Sequence, residues 1–96
     1  IGNTRINLSR YEVCVDGEKV VFSPKEVEIL HLMAAHLNQV FTREQLLDSI
    51  WGFDFDGDSR VVDTSIKRIR KKLPEYSMLA VRSVYGVGYK IEAANA

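Results

Sequence analysis

Apolar Tyr11, Val13 and Val15 alternate with polar or small neighbours near the start of the chain. Arg5 to Leu8, Tyr11 to Val15 and Lys19 to Phe22 read as short strands, and the pair Asp16-Gly17 separates the second from the third. Alternation around a glycine turn predicts a small antiparallel sheet. The period lengthens at Phe22-Ser23-Pro24-Lys25-Glu26-Val27. Ser23 is placed to cap a helix, Pro24 suits its first position, Glu26 closes a capping box, and Phe22 can staple onto Val27. Val27, Leu30, Met33, Ala34 and Leu37 then share one face, which predicts a helix to about Leu37 that Asn38 stops. The same arrangement returns after Val40-Phe41, with Thr42 as cap, Gln45 closing the box and Phe41 stapling onto Leu46. A second, shorter helix should end near Trp51, with Gly52 at its stop.

Phe53 to Asp58 reads as an acidic loop containing glycine, and a third helix should start at Arg60, capped by Asp58 or Ser59, and stop before Pro74. Leu79 to Val84 and Gly88 to Glu92 read as two strands joined around Tyr85-Gly86-Val87. Strands, three helices and a hairpin in that order predict an α+β domain, a helix-turn-helix followed by a wing.

The third helix is the most informative segment. With Val62 at zero and about 100° per residue, Ile66, Ile69 and Leu73 fall within roughly 40° of it, a narrow core stripe. Arg60, Thr64, Lys67, Arg68 and Lys71 fall between roughly 140° and 240°, on the opposite face, and Arg70 and Lys72 flank the stripe. This outer face nearly lacks the acids that a merely solvated helix interleaves for pairing. Thr64 and Ser65 are short enough for the backbone to approach base edges, and such a helix fits the major groove of B-DNA.

Charge sharpens the picture. The formal net charge is zero, yet residues 1–59 hold five basic side chains and ten acids, while residues 60–90 hold eight basic side chains and two acids. Asymmetry of this size points to a polyanion-binding surface on a protein kept otherwise non-adhesive. The chain of 96 residues, 46% hydrophobic and 27% charged, fits a single globular domain spanning residues 1–96. No apolar stretch approaches the length of a membrane span, no secretory signal is visible, and the single cysteine, Cys14, admits no internal disulfide, so a cytoplasmic location is expected. The first residue is Ile1 rather than methionine, so we expect a piece of a longer protein.

Other chemistry fits poorly. In the sequence from Asp54, Ser59 replaces the glycine and Ser65 the bidentate glutamate that a calcium loop needs. His31 and His36, five apart, do not share a helix face, which argues against a metal site. Gly86-Val87-Gly88 lies between strands and not ahead of a helix, unlike a dinucleotide loop. No nucleophile and base pair is visible. We expect neither enzymatic activity nor a metal or cofactor.

The segments "FSPKEVEIL", "VFTREQLLDSIWG", "RVVDTSIKRIRKKL" and "VRSVYGVGYKI" together resemble the C-terminal effector domain of the OmpR/PhoB family of bacterial two-component response regulators, over roughly Ile6 to Ile91. The resemblance implies a winged helix-turn-helix with an N-terminal four-stranded antiparallel sheet, three helices and a C-terminal β-hairpin wing. It implies a recognition helix over about 60–73 in the major groove, a wing at the neighbouring minor groove, and tandem head-to-tail dimers on direct-repeat promoter sites. It also implies an N-terminal receiver domain, outside this chain, that a sensor kinase phosphorylates, and contact between RNA polymerase and the loop Gly52, Phe53, Asp54, Phe55, Asp56, Gly57 and Asp58. Position by position, Asp63, Thr64, Ser65 and Arg68 match base-edge or adjacent positions. Trp51, Arg60, Lys67, Arg70, Lys71 and Ser83 match or adjoin phosphate-contacting positions. Trp51 can equally be a half-buried core aromatic. The wing departs from the family pattern, because "YGVGY" stands where many members have "RGxGY". Tyr85 thus replaces the arginine that would enter the minor groove, with Lys90 as partial compensation. A different class of function stays open at this point: a winged helix that docks to RNA polymerase or another regulator without reading DNA.

Overall fold

The computed structural model describes residues 2–93, so both ends of the expected domain span 1–96 lie outside the described residues. Strands β1 (Thr4–Asn7), β2 (Glu12–Val15) and β3 (Glu18–Val20) form an antiparallel sheet in that order. Asp16 and Gly17 have φ of 52° and 80° and connect Val15 directly to its partner Glu18. Positive φ at both central residues is the type I′ geometry whose twist matches a tight hairpin. The sheet has three strands among the described residues, not the four that the family resemblance implies. Gly2 turns with φ 58°, and after β3 the chain runs through Val21 and Phe22 straight into a helix cap, so no further strand pairs with this sheet among the described residues.

Helix α1 (Pro24–Ala34) begins with the expected reciprocal cap. Ser23 N–H donates to Glu26 Oε1 at 2.8 Å, and Glu26 N–H to Ser23 Oγ at 3.4 Å. The helix ends three residues before Leu37. His36 N–H bonds Met33 O, tightening the last turn, and Asn38, at φ 67°, turns its N–H to Ile91 O at 2.8 Å. A strand carbonyl captures the chain there before the apolar period runs out. Ile29 and Glu26, absent from the expected apolar face, are buried with Val27, Leu30 and Met33. His31 and His36 are exposed, and His36 lies beyond the helix.

Glu26 has a second role. It is only 2% exposed, and Lys72 Nζ donates to its Oε1 at 2.7 Å, tying α1 to the third helix. Burial pushes this carboxyl up, but the bonds from Lys72 and the Ser23 backbone outweigh it and hold the group below its ordinary 4.5.

Strand β4 (Phe41–Thr42) leads into α2 (Arg43–Leu46), capped by Thr42 and Gln45 as expected. The helix does not continue regularly to Trp51. Leu47–Trp51 widen into a π turn closed by Gly52 N–H on Leu47 O, five residues back, and Gly52 has φ 94°. Helix α3 (Arg60–Lys72), β5 (Leu79–Val84) and β6 (Gly88–Ala93) complete the chain. The second sheet runs β4-β6-β5, with β6 antiparallel to both neighbours. Gly88 permits this closure, since a Cβ there would stand 1.9 Å from Phe41 O and 2.9 Å from Thr42 Cα.

One apolar cluster joins both sheets and all three helices, including Val13, Leu30, Leu46, Ile66, Leu79 and Ile91. A polar seam backs it. The Asn3 side chain donates to Tyr76 O at 2.7 Å and accepts from Met78 N–H at 2.8 Å, pinning the approach to β1 against the segment that follows α3. Among the described residues no helix is long and apolar enough to cross a membrane.

Candidate nucleic-acid interface

The face expected to point outward does so. Val62, Ile66 and Ile69 are buried, at 0%, 1% and 0% exposure, while Arg60, Thr64, Lys67, Arg68 and Lys71 are exposed. Ser65 is half-buried, on the wall of a cleft that it shares with Ser23, Lys25, Trp51, Thr64 and Arg68. The apolar stripe therefore holds α3 down while a strip of cations stands clear of the core. Among the described residues Lys67, Arg68 and Lys71 have no carboxylate within ion-pair distance. Their charge is free to meet an external anion.

The cations beside the stripe are occupied instead. Lys72 holds Glu26 on one side. On the other, Arg70 Nε donates to Val81 O at 3.3 Å, its Nη2 donates to Ser83 Oγ, and its guanidinium lies 5.7 Å from the Tyr89 ring centroid. Asp63, half-buried, is also paired within the protein: Oδ2 lies 2.7 Å from Arg43 Nη2, and Oδ1 accepts the Tyr89 hydroxyl at 2.5 Å. Burial, the bond to Asp63 and the charge of that carboxylate all raise the Tyr89 phenol above 10.0. It stays a protonated donor throughout the neutral range.

The start of α3 is capped by Asp58, the first of the two candidates. Arg60 N–H donates to Asp58 Oδ1 at 3.0 Å, while Ser59 makes no side-chain cap. The same carboxylate holds Arg60 Nε at 3.0 Å, and these bonds, backbone first, lower the Asp58 pKa. Arg60 is thus anchored at the helix entrance with most of its side chain in solvent.

Trp51 is half-buried, with Lys25 Nζ 5.9 Å from its ring centroid and the Phe55 ring 6.2 Å away, so both readings of it, core aromatic and rim contact, are compatible with its place. In the loop that follows, Phe53 is 88% exposed. At the hairpin tip Gly86 takes φ 76° and Tyr85 is 101% exposed, touching nothing that would fix its ring. Lys90 is paired with Glu92 at 3.0 Å on the hairpin face opposite Tyr89, and Glu92 also accepts from Arg82. Bonds from Lys90 and Arg82 lower the Glu92 pKa. No cluster of metal-ligating side chains occurs among the described residues.

Sequence reasoning missed Arg43, which reads locally as a helix-start residue, and the hydroxyl of Tyr89. Their common partner is 20 and 26 residues away respectively, and no local pattern connects them.

Residues 17–91 match the family described as "Transcriptional regulatory protein, C terminal". The chain belongs to this family, in its OmpR/PhoB branch. It is 42% identical over 93 residues to the heme response regulator HssR of Staphylococcus aureus, covering 96% of this chain and 42% of that protein. The chain thus spans about two fifths of the length of the curated relatives it matches. Among solved structures it is similar to the DNA-binding domain of Bacillus subtilis CssR, at 35% identity and a TM-score of 0.80, over 92% of this chain and 98% of that one. It is also similar to the Klebsiella pneumoniae RstA DNA-binding domain in complex with the RstA box, at 31% identity and a TM-score of 0.80, over 95% and 92% of the two chains. These neighbours share the winged-helix fold, with three helices and antiparallel sheets.

Proposed function

We propose that this chain is the DNA-binding output domain of a two-component response regulator and binds double-stranded DNA at promoters in a sequence-specific way. The observation that carries the reading is the exposed strip of Thr64, Lys67, Arg68 and Lys71 on α3, free of acids and beside a projecting hairpin. In this reading α3 is the recognition helix and lies in the major groove. Arg68, with Thr64 and Ser65, reads base edges. Lys67, Lys71 and Arg60 neutralise phosphates, and Trp51 and Ser83 border the backbone path. The β5–β6 hairpin is the wing, and Tyr85 at its tip meets the flanking minor groove.

Membership of the family supports the following reading of its partners. The domain sits on direct repeats as a tandem head-to-tail pair in the cytoplasm, under the control of a receiver domain and its sensor kinase. Phe53, exposed on the Gly52 to Asp58 loop, supports contact between that loop and RNA polymerase.

The test is selection of bound duplexes from a random library, followed by affinity measurement across salt concentrations. Binding should weaken with salt with a log-log slope that reports several phosphates. Arg68→Ala should relax preference at one base pair by about 1–3 kcal/mol, and Lys71→Ala should weaken all sequences alike and lower the slope by about one. A library that yields no bound duplex even at low salt refutes the reading in favour of a protein-docking module.

A further inference from the structure

Asp63 and Arg70 stand seven residues apart on α3, two turns along one side of the helix. Both reach the inner face of the hairpin. Asp63 accepts from the hydroxyl of Tyr89 on β6, and Arg70 donates to Val81 and Ser83 on β5 and lies over the Tyr89 ring. Ser83 and Tyr89 are themselves cross-strand partners. The base of the wing is thus held at two points by one helix, and Arg43 ties the same Asp63 carboxylate to the start of α2.

We propose that Asp63 is a positioning residue: with Arg70 it forms a strap that fixes the wing against the recognition helix and so sets the spacing between major-groove and flanking contacts. The inference rests on the DNA-binding reading above and revises the place of Asp63 within it, since its homologous position lies among the base-edge residues. Each Asp63 oxygen already accepts a short bond from within the protein. These two bonds turn the carboxylate toward the wing and the start of α2. Two adjacent features point the same way. Tyr85 at the wing tip is wholly exposed, so the position of its ring depends on what holds the base of the hairpin. A hairpin alone is a weak lever, whereas one bonded at both strands to a helix moves with that helix.

The experiment compares two duplexes recovered by the wild-type chain, one long enough to meet the wing and one cut back so that only α3 can bind. Wild type should bind the longer duplex more tightly. Tyr89→Phe and Asp63→Ala should each remove about three- to tenfold of that gain, the scale of one hydrogen bond, while leaving affinity for the short duplex within about twofold. The double variant should lose no more than the larger single loss, because both substitutions break the same bond. Thermal melts of Tyr89→Phe, which keeps the ring, show that the effect is not unfolding. Three results would overturn the inference: an undiminished flank gain in both variants, additive losses in the double variant, or relaxed preference at one base pair in a library selected with Asp63→Ala. A wild-type chain that gains nothing from the longer duplex instead refutes the placing of the wing, and the strap with it.

Discussion

Replacing Lys72 with methionine isolates the bond between α1 and α3. The substitution keeps an unbranched stem near the Phe22 ring and removes only the ammonium that donates to Glu26 Oε1 at 2.7 Å. Removing one partner of a fully buried pair costs about 3–5 kcal/mol. That is an upper bound here, because Ser23 N–H still serves the carboxylate and the Lys72 side chain is 38% exposed. A charge-assisted hydrogen bond of about 1.5–3 kcal/mol is the better measure, so we expect a loss of about 2 kcal/mol. For a domain of this size that lowers Tm by about 8–16 °C. The loss should also depend on pH. Glu26 has a folded pKa below its ordinary 4.5, so its contribution is present above that value and is lost as pH falls through the folded pKa. Without Lys72, burial is less opposed and the carboxyl rises, so the variant's deficit should close in acid. Urea unfolding followed by circular dichroism, at about pH 7 and about pH 3, measures both quantities. A deficit that is the same at the two pH values would refute the electrostatic account, leaving lost packing as the cause.

Two further predictions concern the wing. Gly88→Ala should destabilise the chain by about 2–4 kcal/mol in the same assay, because the new Cβ meets backbone atoms of Phe41 and Thr42 that cannot rotate away; a loss below about 1 kcal/mol, the ordinary cost range of a surface change, would show that β4 can shift. Tyr85→Arg should tighten binding to duplexes with A·T-rich flanks, whose narrow minor groove attracts a guanidinium. Unchanged affinity in competition titrations would count against placing this residue at the groove.

Much of this architecture was readable from short-range chemistry. Ser23 with Glu26 and Thr42 with Gln45 announce two helix starts, and both boxes form. The stripe of Val62, Ile66 and Ile69 fixes which side of α3 faces outward. What escaped was decided by partners far along the chain. Ile91 O captures Asn38 and ends α1 early. The π turn is the exception, closed locally by Gly52 N–H on Leu47 O. Arg70 and Lys72 flank the stripe, and neither Arg70's match to a phosphate-contacting position nor Lys72's place on the helix reveals that each is bonded to an acceptor 11 or more residues away. The bonds of Asp63 to Arg43 and Tyr89 were likewise out of reach, because its own neighbourhood contains neither partner.

The seam made by Asn3 bears on the order in which the molecule assembles. Its bonds to Tyr76 and Met78 join residues 73 and 75 positions apart, whereas Arg70 reaches Val81 and Ser83 across only 11 and 13. Loop closure penalises the longer span, so helix and hairpin should come together as an early unit and the N-terminal sheet should dock last. By the same token, the Asn3 seam is where a sub-global opening would begin. Amide exchange should then find β1 leaving the body while the helix and hairpin stay intact.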